Sequence, residues 1–175
     1  MTLLLLLLFS GFDDDSRIGP EAGKPVPALK VNQITGSQAG KEVDGAEAAK
    51  SEAVIYAFIR SDKWDRPVAR VLRQLDEALV EHRKTDPKCS IFIVWVSKDA
   101  EKAREYLPKA QQSLKLQAST WNHFDGEVYD IAHWQLSGDG PLNVVIAKEG
   151  KCTWGRGYAT INDTIAKKVI EAFKK

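Results

Sequence analysis

At 175 residues and 43% hydrophobic, the chain is long enough to bury one full core and has no room for a second domain. Its 25 Lys and Arg balance 24 Asp and Glu, so no global charge draws it to nucleic acid or to an anionic membrane surface. No basic run is interleaved with aromatics, which argues further against nucleic-acid binding.

The chain begins Met1-Thr2, then runs Leu3 to Leu8 and Phe9. These apolar residues are too few for a stable membrane span, which takes about 20, but they reach the length of a signal-peptide hydrophobic region. Neither a basic segment before the run nor an A-x-A site after it is present. A leucine run at a soluble terminus would be an aggregation liability, so the reading is a leader and export to the periplasm or cell envelope. Residues 12–21, with Asp13-Asp14-Asp15 and Pro20, read as a flexible linker. Residues 1–22 are thus expected to be leader and linker, and residues 23–175 the folded domain.

Ala53 to Ile59 is a continuous apolar, β-branched and aromatic run, the pattern of a strand buried on both faces. Val68, Val71, Leu72, Leu75 and Leu79 follow at helical spacing, with Arg70, Arg73 and Glu77 on the opposite face. Asp86-Pro87-Lys88 closes that connection, and Ile91 to Val96 gives a second buried strand. Asp99 is placed to cap a helix through Ala103, Leu107, Ala110 and Leu114, which Pro108 is expected to kink or end. Between Trp121 and Ser137 only Val128, Ile131 and Ala132 suggest a short helical piece. His123, Asp125, Glu127, Asp130 and His133 lie there without a recognisable site pattern.

Leu142 to Ala147 is a third strand, and Lys148-Glu149-Gly150-Lys151 a hairpin turn whose glycine is expected at positive φ. Cys152 to Tyr158 returns antiparallel. Ile165, Val169, Ile170 and Phe173 make a last amphipathic helix, with Thr160 or Asn162 as its cap. The order β-α-β-α then β-hairpin-α implies right-handed parallel crossovers with an antiparallel pair added at the end.

Three blocks carry a resemblance. Gly23-Lys24-Pro25-Val26-Pro27-Ala28-Leu29 is similar to a G-x-x-x-P-x-F/L segment. Ala53 to Leu75 matches a strand, active-site turn and long helix. Asp125-Gly126-Glu127-Val128 with Gly138-Asp139-Gly140-Pro141-Leu142 through Gly150 is similar to a DGEVA…G-x-P-T-x-x-x-I-D-x-x-G region. Together they resemble the thioredoxin-like superfamily, in particular its exported thiol-disulfide oxidoreductases and peroxiredoxin-related redoxins. The resemblance implies a thioredoxin-like α/β three-layer sandwich, a central mixed sheet flanked by helices. It also implies that Pro141 is the family's cis-proline beside the active-site turn, with Gly140 leaving open an edge that pairs with an extended peptide.

The family's Cys-x-x-Cys turn aligns on Asp62-Lys63-Trp64-Asp65, so both thiol positions hold aspartate. A redox turn needs a thiolate at a helix N-terminus and a second thiol to resolve the mixed disulfide. Carboxylates supply neither. Asp65 before Arg66-Pro67 reads as a helix cap with proline in the first turn. Trp64 is either an exposed anchor for a partner peptide or core packing.

Cys89 and Cys152 are too few for a disulfide framework, and His82, His123 and His133 show no ligand spacing with them, so neither metal nor cofactor is expected. In the implied strand order the two cysteines stand three strands apart, roughly 14 Å, beyond the roughly 7 Å that a disulfide allows. The leading expectation is a non-catalytic protein- or peptide-binding module whose site comprises Asp62, Trp64, Asp65, Gly140 and Pro141. The alternatives are a thiol-dependent oxidoreductase or peroxidase using Cys89 or Cys152, and a purely structural domain kept for assembly.

Overall fold

The two apolar runs that flank the first predicted helix become neighbouring parallel strands at the centre of one sheet. In the computed structural model, which describes residues 15–175, the chain starts with β1 (Asp15–Arg17), β2 (Lys30–Gln33), β3 (Glu42–Asp44) and α1 (Gly45–Ser51). The central unit is β4 (Ala53–Arg60), a 3₁₀ turn (Ser61–Lys63), α2 (Arg66–His82), β5 (Cys89–Ser97), α3 (Ala100–Leu114) and β6 (Ser119–Asp125). A 3₁₀ segment (Val128–Trp134), the hairpin β7 (Leu142–Lys148) and β8 (Lys151–Tyr158), and α4 (Ile165–Phe173) complete it. The leucine run, and with it the leader reading, lies outside the described residues.

Among the described residues the strands form one mixed sheet in the order β1-β8-β7-β4-β5-β6-β2-β3. β4 pairs parallel with β5, and β5 with β6, while β4–β7 and β7–β8 are antiparallel. Alternate residues of the central strands serve opposite faces, which is why their sequences are apolar throughout. Ile55, Ala57, Ile59, Ile91, Ile93 and Trp95 meet α2, α3 and α4 on one side. Val54, Tyr56, Phe58, Phe92, Val94 and Val96 meet Ala49 of α1 and Val128, Ile131 and Trp134 of the 3₁₀ segment on the other. The result is a three-layer α/β sandwich. The five aliphatics at helical spacing in α2 are all buried. At the hairpin Glu149 and Gly150 both have positive φ, 52° and 73°, the two-residue turn that matches strand twist.

Three local expectations change. Residues 12–21 were expected to be linker, but Asp15–Arg17 pair with β8 and Ile18 is buried against the second face of the sheet. α3 runs through Pro108 without ending; the N–H that proline lacks would have served the Arg104 carbonyl, on an exposed turn that water reaches. The last helix starts at Ile165, with Asn162 Oδ1 accepting from the Thr164 N–H at 2.9 Å one turn earlier. No helix of the described residues is long and apolar enough to cross a membrane.

β6 was not foreseen as a strand, and α2 supplies much of what fixes it. Asp76, buried in the middle of α2, accepts from the N–H groups of Gln117 and Ala118 at 2.8 and 2.9 Å and from the Ser119 hydroxyl. Two turns on, Arg83 donates to the carbonyls of Cys89, Gln117 and Ala118. One helix thus holds both the start of β5 and the connection into β6.

Candidate functional site

The turn after β4 is built from short-range bonds. Asp65 is the N-cap of α2: its Oδ1 accepts from the Val68 N–H at 3.0 Å, with Pro67 in the first helical turn. Asp62 is held by Arg60, whose Nε and Nη2 meet its two carboxylate oxygens at 3.1 and 2.7 Å. Arg60 also donates to the Gly138 carbonyl, joining the turn to the loop before β7. The Arg60 N–H reaches the Pro141 carbonyl at 3.3 Å, so that acceptor is already paired.

The Gly140–Pro141 bond is trans, and no cis peptide bond occurs among the described residues, which corrects the cis-proline expectation. Gly140 is buried on β8, where a Cβ would stand 2.1 Å from the Tyr158 carbonyl oxygen. Seated there, with Pro141 paired to Arg60, the chain enters β7 extended in the ordinary low-cost geometry. Glycine serves close backbone packing here and leaves no edge open.

Around this turn the expected site residues divide among three clefts. Asp65 and Pro141 share one of about 360 Å³ with Lys63, Pro67 and Ile161. Asp62 lines a second, about 320 Å³, with Arg60, Lys98, Glu127, Tyr129 and Gly138. Lys98 and Glu127 pair across it at 2.7 Å. Trp64 lines a third, about 530 Å³, between α2 and α3, which Asp65 also borders. Its ring is half-buried, edge-on to Trp95 and Trp121 at 5.5 and 5.8 Å, and its Nε1–H donates to the Tyr106 hydroxyl at 2.7 Å. Trp64 is therefore both packed and displayed. Tyr106 was not singled out from sequence, because its partner lies 42 positions away.

Cys89 and Cys152 are free thiols with no exposed surface. Cys89 sits on β5 with its thiol on the Asp86 carbonyl, and burial pushes its pKa up despite nearby Arg83. Burial pushes Cys152, on β8, up to about 11. At neutral pH about one Cys152 in ten thousand would be thiolate. β7 and β4 stand between their strands.

A Ser–His contact also lies nearby, with His123 Nε2 3.1 Å from Ser97 Oγ. The same nitrogen is 2.9 Å from the Ser97 carbonyl, which can only accept. Nε2 therefore carries the proton and cannot act as base toward the hydroxyl. Among the described residues no three His, Cys, Asp or Glu side chains converge to hold a metal ion.

No family model matches the sequence, and no curated protein matches it. Solved structures do. A secreted thiol-disulfide isomerase from Corynebacterium glutamicum superposes with a TM-score of 0.65, covering 95% of each chain at 8% identity. The fold is thioredoxin-like. A DsbF homologue from Corynebacterium diphtheriae gives 0.63 over 94% of each chain at 14% identity. The peroxidoxin BcpB of Mycobacterium tuberculosis gives 0.61 over 90% of this chain and 96% of its own at 13% identity. At these identities the thioredoxin-like likeness is one of architecture.

Proposed function

We propose that this chain is an exported thioredoxin-fold binding module that captures a protein or peptide without thiol chemistry. Its site is the surface around the turn, displayed by Asp62, Trp64, Asp65 and Pro141 with the buried Gly140 behind it. The observation that carries the reading is the state of the groups a thiol enzyme would need. Asp62 and Asp65 occupy the turn, tied to an arginine and a helix N-terminus, and neither Cys89 nor Cys152 reaches solvent. A buried thiol with a raised pKa is a poor nucleophile and a good small hydrophobe. Trp64 stands at the turn half-exposed, the residue type most often found at the centre of binding interfaces.

The test is thiol-dependent insulin reduction by the full chain beside its Cys89→Ser/Cys152→Ser variant. Background rates from both are expected. Reduction by the wild type that disappears in the double variant would sink the reading and make one of these cysteines the nucleophile.

A further inference from the structure

We infer that the cleft between α2 and α3 docks an acidic amphipathic helix of a partner protein. The inference rests on the binding reading above and assigns its partner chemistry and its seat.

The turn is acidic in sequence, but its carboxylates are already engaged. Asp62 is neutralised by the two-pronged contact with Arg60, and Asp65 is directed into its own helix. Lys63, Arg66 and Lys109, all exposed around Trp64, have no carboxylate within ion-pair distance among the described residues. The rim of the cleft itself carries Arg66 and Lys109 against the single carboxylate of Asp65, so it is net cationic. Tyr106 adds to this. Its oxygen accepts from Trp64, and its own O–H has no acceptor among the described residues, so it is free to donate to a partner carboxylate. Apart from the Ser113 hydroxyl, which can donate or accept, the uncommitted polar groups on this rim seek negative charge.

The cleft walls give the other half of the match. Ala69 and Ala110 present small side chains from the two helices, between Tyr106 and Leu114. The stretch of α3 from Tyr106 to Leu114 is about 12 Å, a little over two helical turns. A helix laid there would set apolar residues at i, i+3 and i+4 against Trp64, Tyr106 and Leu114, with its acidic flank toward Arg66 and Lys109. An extended strand has no comparable purchase, because the Pro141 carbonyl is paired and Gly140 is buried.

The probe is a fluorescein-labelled synthetic peptide of about 14 residues, roughly 21 Å of helix, with leucines at i, i+3, i+4 and i+7 and glutamates elsewhere. Its counterpart carries lysine for glutamate. Fluorescence anisotropy with the full chain is expected to show binding of the acidic peptide only. Affinity should fall at least about tenfold in Arg66→Glu/Lys109→Glu, and by a similar factor between about 0.05 and about 0.5 M salt. Both substituted residues are exposed, so the variant should fold, and an unchanged circular dichroism melt would confirm it. Failure of the acidic peptide to bind the wild type, or equal binding to the wild type and that variant, overturns the inference. Equal binding there combined with loss in Lys63→Glu would move the partner to the Pro141 cleft, overturning the groove but leaving the binding reading intact. Insulin reduction by the wild type would instead overturn the reading beneath it.

Discussion

Asp65 and Asp76 belong to the same helix and both turn a carboxylate on backbone N–H groups, yet their surroundings are opposite. Asp65 is exposed at the first turn of α2 and accepts one N–H from its own helix. Asp76 is 2% exposed and accepts three donors from a segment more than forty residues away. The first bond competes with water, and its loss frees a group that water can satisfy. The second largely replaces water, and its loss strands the Ala118 N–H and the Ser119 hydroxyl in the interior. The aspartate at the turn that resembles an active site is thus the dispensable one, and the one in an unremarked helix interior holds the architecture.

The comparison breaks most readily at Asp76. Asp76→Ala should cost about 3–5 kcal/mol, since it removes charge-assisted bonds and leaves the Ala118 N–H and Ser119 hydroxyl buried. Urea unfolding followed by tryptophan fluorescence measures this directly. A loss under about 1 kcal/mol would mean that the β6 connection relaxes to water and that the contrast is not real. Arg83→Ala comes next, at about 1–2 kcal/mol. It bonds the same connection, but two of its three contacts are long, 3.3 and 3.4 Å. If the two changes made together cost clearly less than their sum, Asp76 and Arg83 act as one bracket on residues 117–119.

What the sequence disclosed follows the same division between local and distant. β4, β5 and the apolar face of α2 were legible because burial on both sheet faces writes continuous or helically spaced apolar residues into the chain. The Asp65 cap was legible because Asp-Arg-Pro is a local signature. β6 was not. It carries Asn122 and His123 fully inside, the Asn122 amide N–H and the His123 ring meeting the Ile93 and Ser97 carbonyls of the neighbouring strand, so its pattern resembles a loop until the partner strand is known. β2 and β3 are too short and too polar to announce themselves. At the site, residue types were readable but their commitments were not. That Arg60 bonds Asp62 and Gly138 together, and that Asp62 faces one cleft while Trp64 faces another that Asp65 borders, depends on loops brought together only by the fold.

Asp65→Ala sharpens the exposed side of the comparison. Loss of a cap should cost about 1 kcal/mol, and Asp65→Asn or Asp65→Ser should restore most of it, since either side chain still accepts from the Val68 N–H. A guanidinium or urea midpoint shift with an unchanged slope would read this as pure destabilisation. A cost near that of Asp76→Ala would show that the turn is packed as tightly as the helix interior, contrary to its exposure.

The smallest stability effect is expected at Asp62. Its side chain is 60% exposed and its ion pair with Arg60 is screened by solvent, so Asp62→Ala should change stability by under about 0.5 kcal/mol. Arg60 would keep its bond to the Gly138 carbonyl, holding the turn to the loop before β7. The informative readout is therefore charge. Removing the one carboxylate that offsets Arg60 makes the turn more cationic, and the acidic peptide should bind this variant as tightly as the wild type or up to about threefold more tightly, with a steeper salt dependence. Weaker binding with unaltered stability would mean that Asp62 meets the partner itself, and that the negative charge at this turn is displayed and not neutralised.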